Sequence, residues 1–387
     1  MNCRSCGAST EQVFTLGQTP LANSLLTTRT QGYKTYPLDL MYCGTCCLAQ
    51  IRDIAEPEEM FREYYYYSKV QGTMVESSRK LVKDIYKKYW RTFTFGDDPL
   101  VMELASNDGY LLQFYKEKGV PVLGIDPATG PANEACRNGV PTIQEFFTLK
   151  LAKTLPKADV IHANNVLAHV PDTNDFVAGI AEALKSDGIC IIEVPYLGSL
   201  VQQGLFDLIY HEHVFSFSYR ALRMLLDRHG LYVANVETLP LHGGSMRVTA
   251  YKTPFNQCVP DVDLSDIYTL QKRAIDTSCR LRSTIVDLKT QGKTVWGWGA
   301  AAKTTVMANY CGLTDNWIDG IADDAPAKIG KFVPGTGIEI FHPDKWLEAQ
   351  PDYTCVFAWN YLDDIVRRYA GQYKGKFFTP YTASEAL

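Results

Sequence analysis

Tyr210, His211, Glu212 and His213 stand side by side in the stretch IYHEHVFSFS, residues 209–218, between an apolar run and an aromatic one. Each can donate, accept or hold a proton, and a neutral imidazole is the natural base near pH 7. In an extended segment His211 and His213 share one face and Tyr210 and Glu212 the other; in a turn that alternation relaxes. Two histidines and a glutamate are also metal-ligand types, although adjacent positions lack the i, i+4 spacing of a helical site. Acid–base chemistry, a metal site and a purely structural polar cluster are the readings open here.

The cysteines offer a second chemistry. Cys3-x2-Cys6 is followed, 36 residues on, by Cys43-x2-Cys46. Two such pairs are the usual ligands of a tetrathiolate zinc site, and with four sulfurs the metal is structural. Cys47 directly follows Cys46 and does not fit the same tetrahedron. Four unrelated buried thiols are the bland alternative. Next comes a run of tyrosines, Tyr64 to Tyr67, either an aromatic docking patch or a set of hydroxyls lining a polar cleft.

The elements that must position these groups follow from length and pattern. A chain of 387 residues suggests two or three domains. Hydrophobic residues make up 46% and charged ones 21%, ordinary for a globular protein, and the net charge of −5 argues against a broad nucleic-acid surface. No run of about 18 apolar residues suggests a membrane span. The first residues, MNCRSCGAST, lack a secretory pattern. Six of the eleven cysteines are scattered, mostly in apolar contexts, which reads as reduced thiols and a cytoplasmic location.

From about residue 80 apolar runs alternate with helical patterns. Strands are expected at 99–104, in VPVLGID, in ADVIHANNV and in GICIIEVPYL, giving a parallel, doubly wound sheet that binds ligands at the carboxyl ends of its strands. The first strand runs into Ala105-Ser106-Asn107-Asp108-Gly109. A dinucleotide site needs G-x-G-x-x-G, but this turn has one glycine and is flanked by Glu103 and Asp108. Two carboxylates repel a diphosphate and suit a cationic sulfonium with an ammonium group. Asp126, ending the second strand, is placed for ribose hydroxyls. Glu103, Ala105, Asn107, Asp108 and Asp126 are therefore read as an S-adenosylmethionine cradle, with Glu145 and Phe146 flanking the adenine. A degenerate nucleotide fold is the alternative.

Farther on, residues 263–291 read as a long helix ending at Gly292, and KTVWGWGAAAKTTVMANY repeats the strand–glycine turn–helix order. Gly297 and Gly299 permit close backbone approach, and the helix N-terminus favours an anion. IDGIADDAP and KIGKFVPGTGIEI complete a second nucleotide-like fold. Lys303, Lys328 and Lys331 are candidate contacts for a nucleotide diphosphate; a relic fold that only packs is the other reading.

Taken together, the chain resembles the nucleotide-sugar C-methyltransferases that branch deoxysugars, such as the 3-C-methyltransferases of kijanose or mycarose. The resemblance covers nearly the whole chain, through CRSCG, CGTC, residues 64–68, ELASNDGYLL, NNVLAHVPD, EVPYL, FDLIYHEH, LHGGSMR, GWGAAAKT, FVPGTGI and FAWNY. It implies an α/β protein with an N-terminal zinc-binding module (1–75), a central Rossmann-like class I methyltransferase domain (76–250) and a C-terminal Rossmann-like domain (251–387). It implies methylation of the carbon beside the ketone of a nucleotide-linked 4-keto-6-deoxysugar, whose proton must first be removed. His213 then resembles the general base, and Glu212 the group that positions it. Tyr210 and His169 resemble contacts to keto or hydroxyl oxygens, and Tyr64 or Tyr66 a tyrosine reaching into the cleft. Asn164 is expected on the cofactor, and Tyr196, His242, Ser245 and Arg247 on the substrate. The chain departs from the family's usual pattern at Ala105 (glycine), Leu208 (threonine), Trp298 (tyrosine) and Ala301 (proline). The expected partner is the sugar nucleotide, with neither nucleic acid nor membrane, and the chain itself a monomer or weak homo-oligomer. O- or N-methylation of another metabolite, and a zinc-module binding protein with a vestigial methyltransferase fold, are the rival functions.

Overall fold

The computed structural model describes residues 1–53, 72–89, 98–240, 243–254 and 263–385. Among these the named strands form three sheets. The first begins as an antiparallel meander of β1 (Glu11–Pro20), β2 (Thr35–Cys43) and β3 (Leu48–Ile51). Phe14, Leu38, Leu40, Leu48 and Ile51 are almost wholly buried and form its core.

Helix α1 (Gly72–Tyr89) follows. Its buried Met74, Ser78, Leu81, Val82, Ile85 and Tyr89 recur at helical spacing, so one stripe packs on Tyr110, Leu111 and Phe114. The central sheet then starts with β4 (Val101–Leu104), β5 (Val122–Ile125), β6 (Thr142–Ile143), β7 (Ala158–Asn164) and β8 (Leu184–Pro195). A short strand, β9 (Phe215–Ser216), precedes a last pair, β10 (Tyr232–Leu239) and β11 (Ser245–Tyr251). The order is β10-β11-β8-β7-β4-β5-β6. The four expected strands, β4, β5, β7 and β8, are parallel; the sheet is extended by β11, which the sequence pattern did not announce and which runs antiparallel to both β8 and β10. A hairpin turn at Gly243 and Gly244 sends β11 back between its neighbours, and both glycines take positive φ, 90° and 117°.

β9 does not belong to this sheet. Its residues pair with β3, Ala49 opposite Ser216 and Gln50 opposite Phe215, so the N-terminal meander takes its fourth strand from the segment just after His213. The next residue, Phe217, bridges to Tyr196 at the end of β8. Residues 209–218 thus lie between two sheets.

In the C-terminal third a 3-10 turn (Ser265–Thr269) leads into the helix Leu270–Thr290, so the helix proper starts later than its pattern suggests. It ends at Gly292 with φ 75°, the left-handed stop expected there. The third sheet has order β14-β13-β12-β15-β16 and is parallel throughout. It comprises β12 (Val295–Trp298), β13 (Ile321–Ala322), β14 (Ile340–Phe341), β15 (Tyr353–Val356) and β16 (Lys376–Phe378). No helix among the described residues is long and apolar enough to cross a membrane.

Candidate active site

Cys3 and Cys6 sit in the first turn, and Cys43 and Cys46 at the hairpin joining β2 to β3. Their Sγ atoms all lie within 4.8 Å of one another, Cys3–Cys46 at 3.7 Å and Cys6–Cys43 at 3.5 Å. Four sulfurs bound at about 2.3 Å in a tetrahedron stand about 3.8 Å apart, so the cluster has the dimensions of a structural zinc site. Cys47 stays outside it. The module is fastened to the central domain by Arg228, which donates to the carbonyl and hydroxyl of Ser5 at 2.8 Å each. Asn174 adds bonds to the carbonyls of Arg4 and Ser5 at 3.1 Å each.

The turn after β4 carries positive φ at Ala105 (58°), Asn107 (49°) and Gly109 (75°). For an L-residue such as Ala105 this backbone costs about 1–2 kcal/mol. Asp126 pins it: Oδ2 accepts the Asn107 amide and Oδ1 the Ala128 amide, both at 2.8 Å. Glu103, Asp108 and Asp126 are all buried at this strand end. Burial pushes Glu103 well above the ordinary carboxylate range; the Tyr110 hydroxyl opposes the shift and the two aspartates add to it. Burial likewise lifts Asp126 to about 6, against its two amide bonds. Three buried carboxyl groups favour a cationic ligand and reject a diphosphate, which is the chemistry of S-adenosylmethionine. At the end of β7 the Oδ1 of Asn164 is buried without a partner among the described residues. The expected adenine flank divides: Glu145 is exposed and Phe146 half-buried, while Phe147 packs into the core against Phe176 at 5.3 Å.

His213 lies in a turn, not a strand, because its amide bonds the Tyr210 carbonyl at 2.9 Å. The alternating faces of an extended segment do not apply, and Tyr210 and His213 meet on one side. Nδ1 of His213 lies 3.0 Å from the Leu208 carbonyl, and Nε2 lies 2.6 Å from the Tyr210 hydroxyl. A carbonyl only accepts, so Nδ1 carries a proton, and in the neutral ring Nε2 is the nitrogen with the lone pair. His169 lies alongside, ring centroids 5.1 Å apart, with Nδ1 donating to the Glu212 carbonyl at 2.6 Å. Burial lowers His169 to about 4, so it is neutral. The buried Glu212 carboxyl accepts from the Asn23 amide at 2.6 Å, and burial pushes it up to about 7. His211 turns away, onto the Pro37 carbonyl at 3.2 Å and the Tyr36 ring. Tyr64, Tyr66 and His242 lie outside the described residues.

Of the other expected substrate contacts, Tyr196 and Ser245 are buried at the ends of β8 and β11. Arg247 is not a free cation: Nε and Nη2 both bond one carboxylate oxygen of Glu193, at 3.0 and 2.7 Å. Lys303 donates to Asn360 and lies 4.5 Å over the Trp359 ring; burial lowers it to about 8. Lys328 bonds the Ala300 carbonyl at 3.0 Å and Asp323 at 3.2 Å. Lys331 is half-buried. Asp323 repeats the geometry of Asp126: Oδ2 accepts the Ala300 amide at 2.7 Å and Oδ1 the Ala325 amide at 2.9 Å. Both aspartates end the second strand of a strand–turn–helix unit and pin the first turn. Asn23, Asn165, Glu193 and Asp207 were not singled out from the sequence, although EVPYL and FDLIYHEH contain two of them. Asn165 takes φ 53° and stands with Glu193, Arg247 and Tyr110 around a small cavity beside α1.

A class I methyltransferase sheet with an acid–turn–acid cradle, joined to a tetrathiolate module, defines an S-adenosylmethionine-dependent methyltransferase with a structural zinc site. Comparison with known proteins narrows the class. Residues 3–61 match a zinc binding domain, 74–236 a methyltransferase domain and 240–381 a C-methyltransferase C-terminal domain. The chain is 33% identical to the C-methyltransferase NovU of Streptomyces niveus, over 94% of this chain and 91% of that one. It belongs to this C-methyltransferase family. Among solved structures, magnesium protoporphyrin IX methyltransferase of Synechocystis PCC 6803 is 16% identical with a TM-score of 0.38, over 48% of this chain and 90% of that one. A methyltransferase of Archaeoglobus fulgidus is 15% identical with a TM-score of 0.36, over 44% of this chain and 93% of that one.

Proposed function

We propose that this C-methyltransferase acts on a nucleotide-linked 4-keto-6-deoxysugar, at the carbon beside the ketone, with residues 1–75, 76–250 and 251–387 as its three working units. The observation that carries the reading is the placement of His213, whose Nδ1 is held on the Leu208 carbonyl at 3.0 Å and whose Nε2 lies 2.6 Å from the Tyr210 hydroxyl. Methylating carbon needs a base, because the carbon has no lone pair until its proton is removed. Bound S-adenosylmethionine supplies an electrophilic methyl group; Glu103, Asn107, Asp108, Asp126 and Asn164 are the residues that would hold it. His213 takes the proton from the carbon beside the ketone, and Tyr210 and His169 contact the sugar's oxygens as negative charge develops on the enolate. Glu212, held by Asn23, supports the turn that presents His213. Tyr64 or Tyr66 would enter the same cleft from the N-terminal module. The strand–turn–helix at Lys303, with Lys328 and Lys331, supports a place for the nucleotide diphosphate.

The test is proton exchange in heavy water. A nucleotide-linked 4-keto-6-deoxysugar is incubated with enzyme and S-adenosylhomocysteine and followed by NMR. Deuterium is expected to enter at one carbon beside the ketone and to be absent with His213→Asn. Exchange that persists at full rate in that variant removes His213 from the role, and no exchange with any keto-sugar removes the substrate class.

A further inference from the structure

The loop carrying His213 is held from its C-terminal-domain side by a carboxylate to which the chemistry above gives no task. Asp207 sits in the single 3-10 turn Phe206–Leu208 and is fully buried. Its Oδ2 accepts the indole N–H of Trp359 at 2.7 Å, and its Oδ1 accepts the Tyr381 hydroxyl at 2.5 Å. Burial pushes its carboxyl above the ordinary range, and the Lys303 ammonium and the two donors oppose that shift. All three partners come from the C-terminal third, and the neighbouring Phe206 ring packs against Tyr310 at 5.1 Å and Tyr381 at 6.5 Å. On its other side, the next residue, Leu208, gives its carbonyl to Nδ1 of His213. One turn of chain therefore joins a clamped carboxylate to the acceptor that selects the tautomer of the base.

A buried carboxylate with two neutral donors and a nearby cation is costly to move, because each lost donor leaves charge without compensation. The imidazole, in contrast, exchanges its tautomer readily once its acceptor shifts. We propose that Asp207 is a positioning residue: clamped by Trp359 and Tyr381, it lets the C-terminal domain fix the Leu208 carbonyl and so the tautomer and place of His213. The proposal rests on reading His213 as the base. It makes the C-terminal domain part of the proton-transfer apparatus, although none of its clamping groups is assigned a contact with the reacting atoms.

The experiment uses full-length, zinc-loaded protein labelled with ¹⁵N in its histidine rings, without substrate. The His213 signals are assigned by their loss in His213→Asn. Trp359→Phe and Tyr381→Phe each remove one hydrogen bond from Asp207 and keep an aromatic ring. In the parent protein His213 is expected as the pure Nδ1–H form. In each variant its two nitrogen shifts should move toward each other, as two tautomers exchange, while the signals of the buried His162 stay in place. Turnover should fall about 10–100-fold with KM changed less than about threefold, the pattern of a misplaced group and not of lost binding. His213 signals unchanged in both variants would overturn the proposal. Because they are read without substrate, a failure of the keto-sugar reading leaves this result standing, and the reverse also holds.

Discussion

The phenolic oxygen of Tyr210 and Nε2 of His213 are 2.6 Å apart, three residues from each other in a single turn. The histidine's other nitrogen is committed to a backbone carbonyl, so the Tyr210 hydroxyl occupies the position from which Nε2 must act.

The two side chains should therefore behave as a unit. Tyr210→Phe and His213→Asn are each expected to lower kcat by about 10²–10⁴-fold, the usual contribution of a positioned acid–base group. The double variant should be no worse than the poorer single one, because removing either breaks the same pair. Cofactor affinity should change little in all three. Multiplicative losses in the double variant would show that the two groups act separately.

Cofactor binding should release protons. Burial raises Asp126 to about 6 in the free protein, against an ordinary value of 3.8. A raised carboxyl helps the folded state below its unfolded value and weakens it as pH climbs through the folded value, here between 3.8 and about 6. A cation beside Asp126, with hydroxyls donating to it, favours the ionised form and reverses that loss. S-adenosylmethionine should therefore bind more tightly as pH rises from about 5 to 7, and calorimetry near pH 6 in buffers of different ionisation enthalpy should register proton release. Asp126→Asn should bind more weakly and lose this dependence. Affinity that falls with rising pH would contradict the scheme.

Zinc should matter to catalysis although it lies outside the reacting cluster. The meander closed by Cys43 and Cys46 supplies β3, and β3 pairs with β9 just two residues past His213. Cys43→Ser should lose most of its zinc by elemental analysis and lower the melting temperature, since ligand binding and folding of such sites are coupled. Turnover should fall at least about tenfold, as the strand that anchors the turn loosens. Cys47→Ser should keep both metal and activity. A zinc-free Cys43→Ser protein with full turnover would separate the metal from the active site.

Much of this was legible because it is local. C-x2-C brings two thiols together whatever surrounds them, and the run from Glu103 to Gly109 spells its own strand, turn and following helix. The repeated order at Gly297 and Gly299 announced a second sheet for the same reason, and the helix stop at Gly292 needed only a residue free to adopt positive φ. The sequence also marked Tyr210 to His213 as a concentration of proton-handling groups. It left their geometry open, since the same residues satisfy an alternating strand and a turn equally well.

Pairings across long stretches of chain were decided only by the folded protein. Nothing near Glu212 names Asn23, 189 residues away, and nothing near Asp207 names Trp359 or Tyr381. Arg247 is expected on the substrate from its motif alone, and only the insertion of β11 beside β8 sets it against Glu193. By itself the sequence determined the chemistry available: thiols for a metal, carboxyls for a cationic cofactor, imidazoles for a proton. The tertiary structure decided which nitrogen of His213 holds its proton, because that depends on where a carbonyl is placed by packing between domains. Residue type and short spacing set what a group can do; the acceptors and charges brought to it from distant parts of the chain set which of those states it occupies.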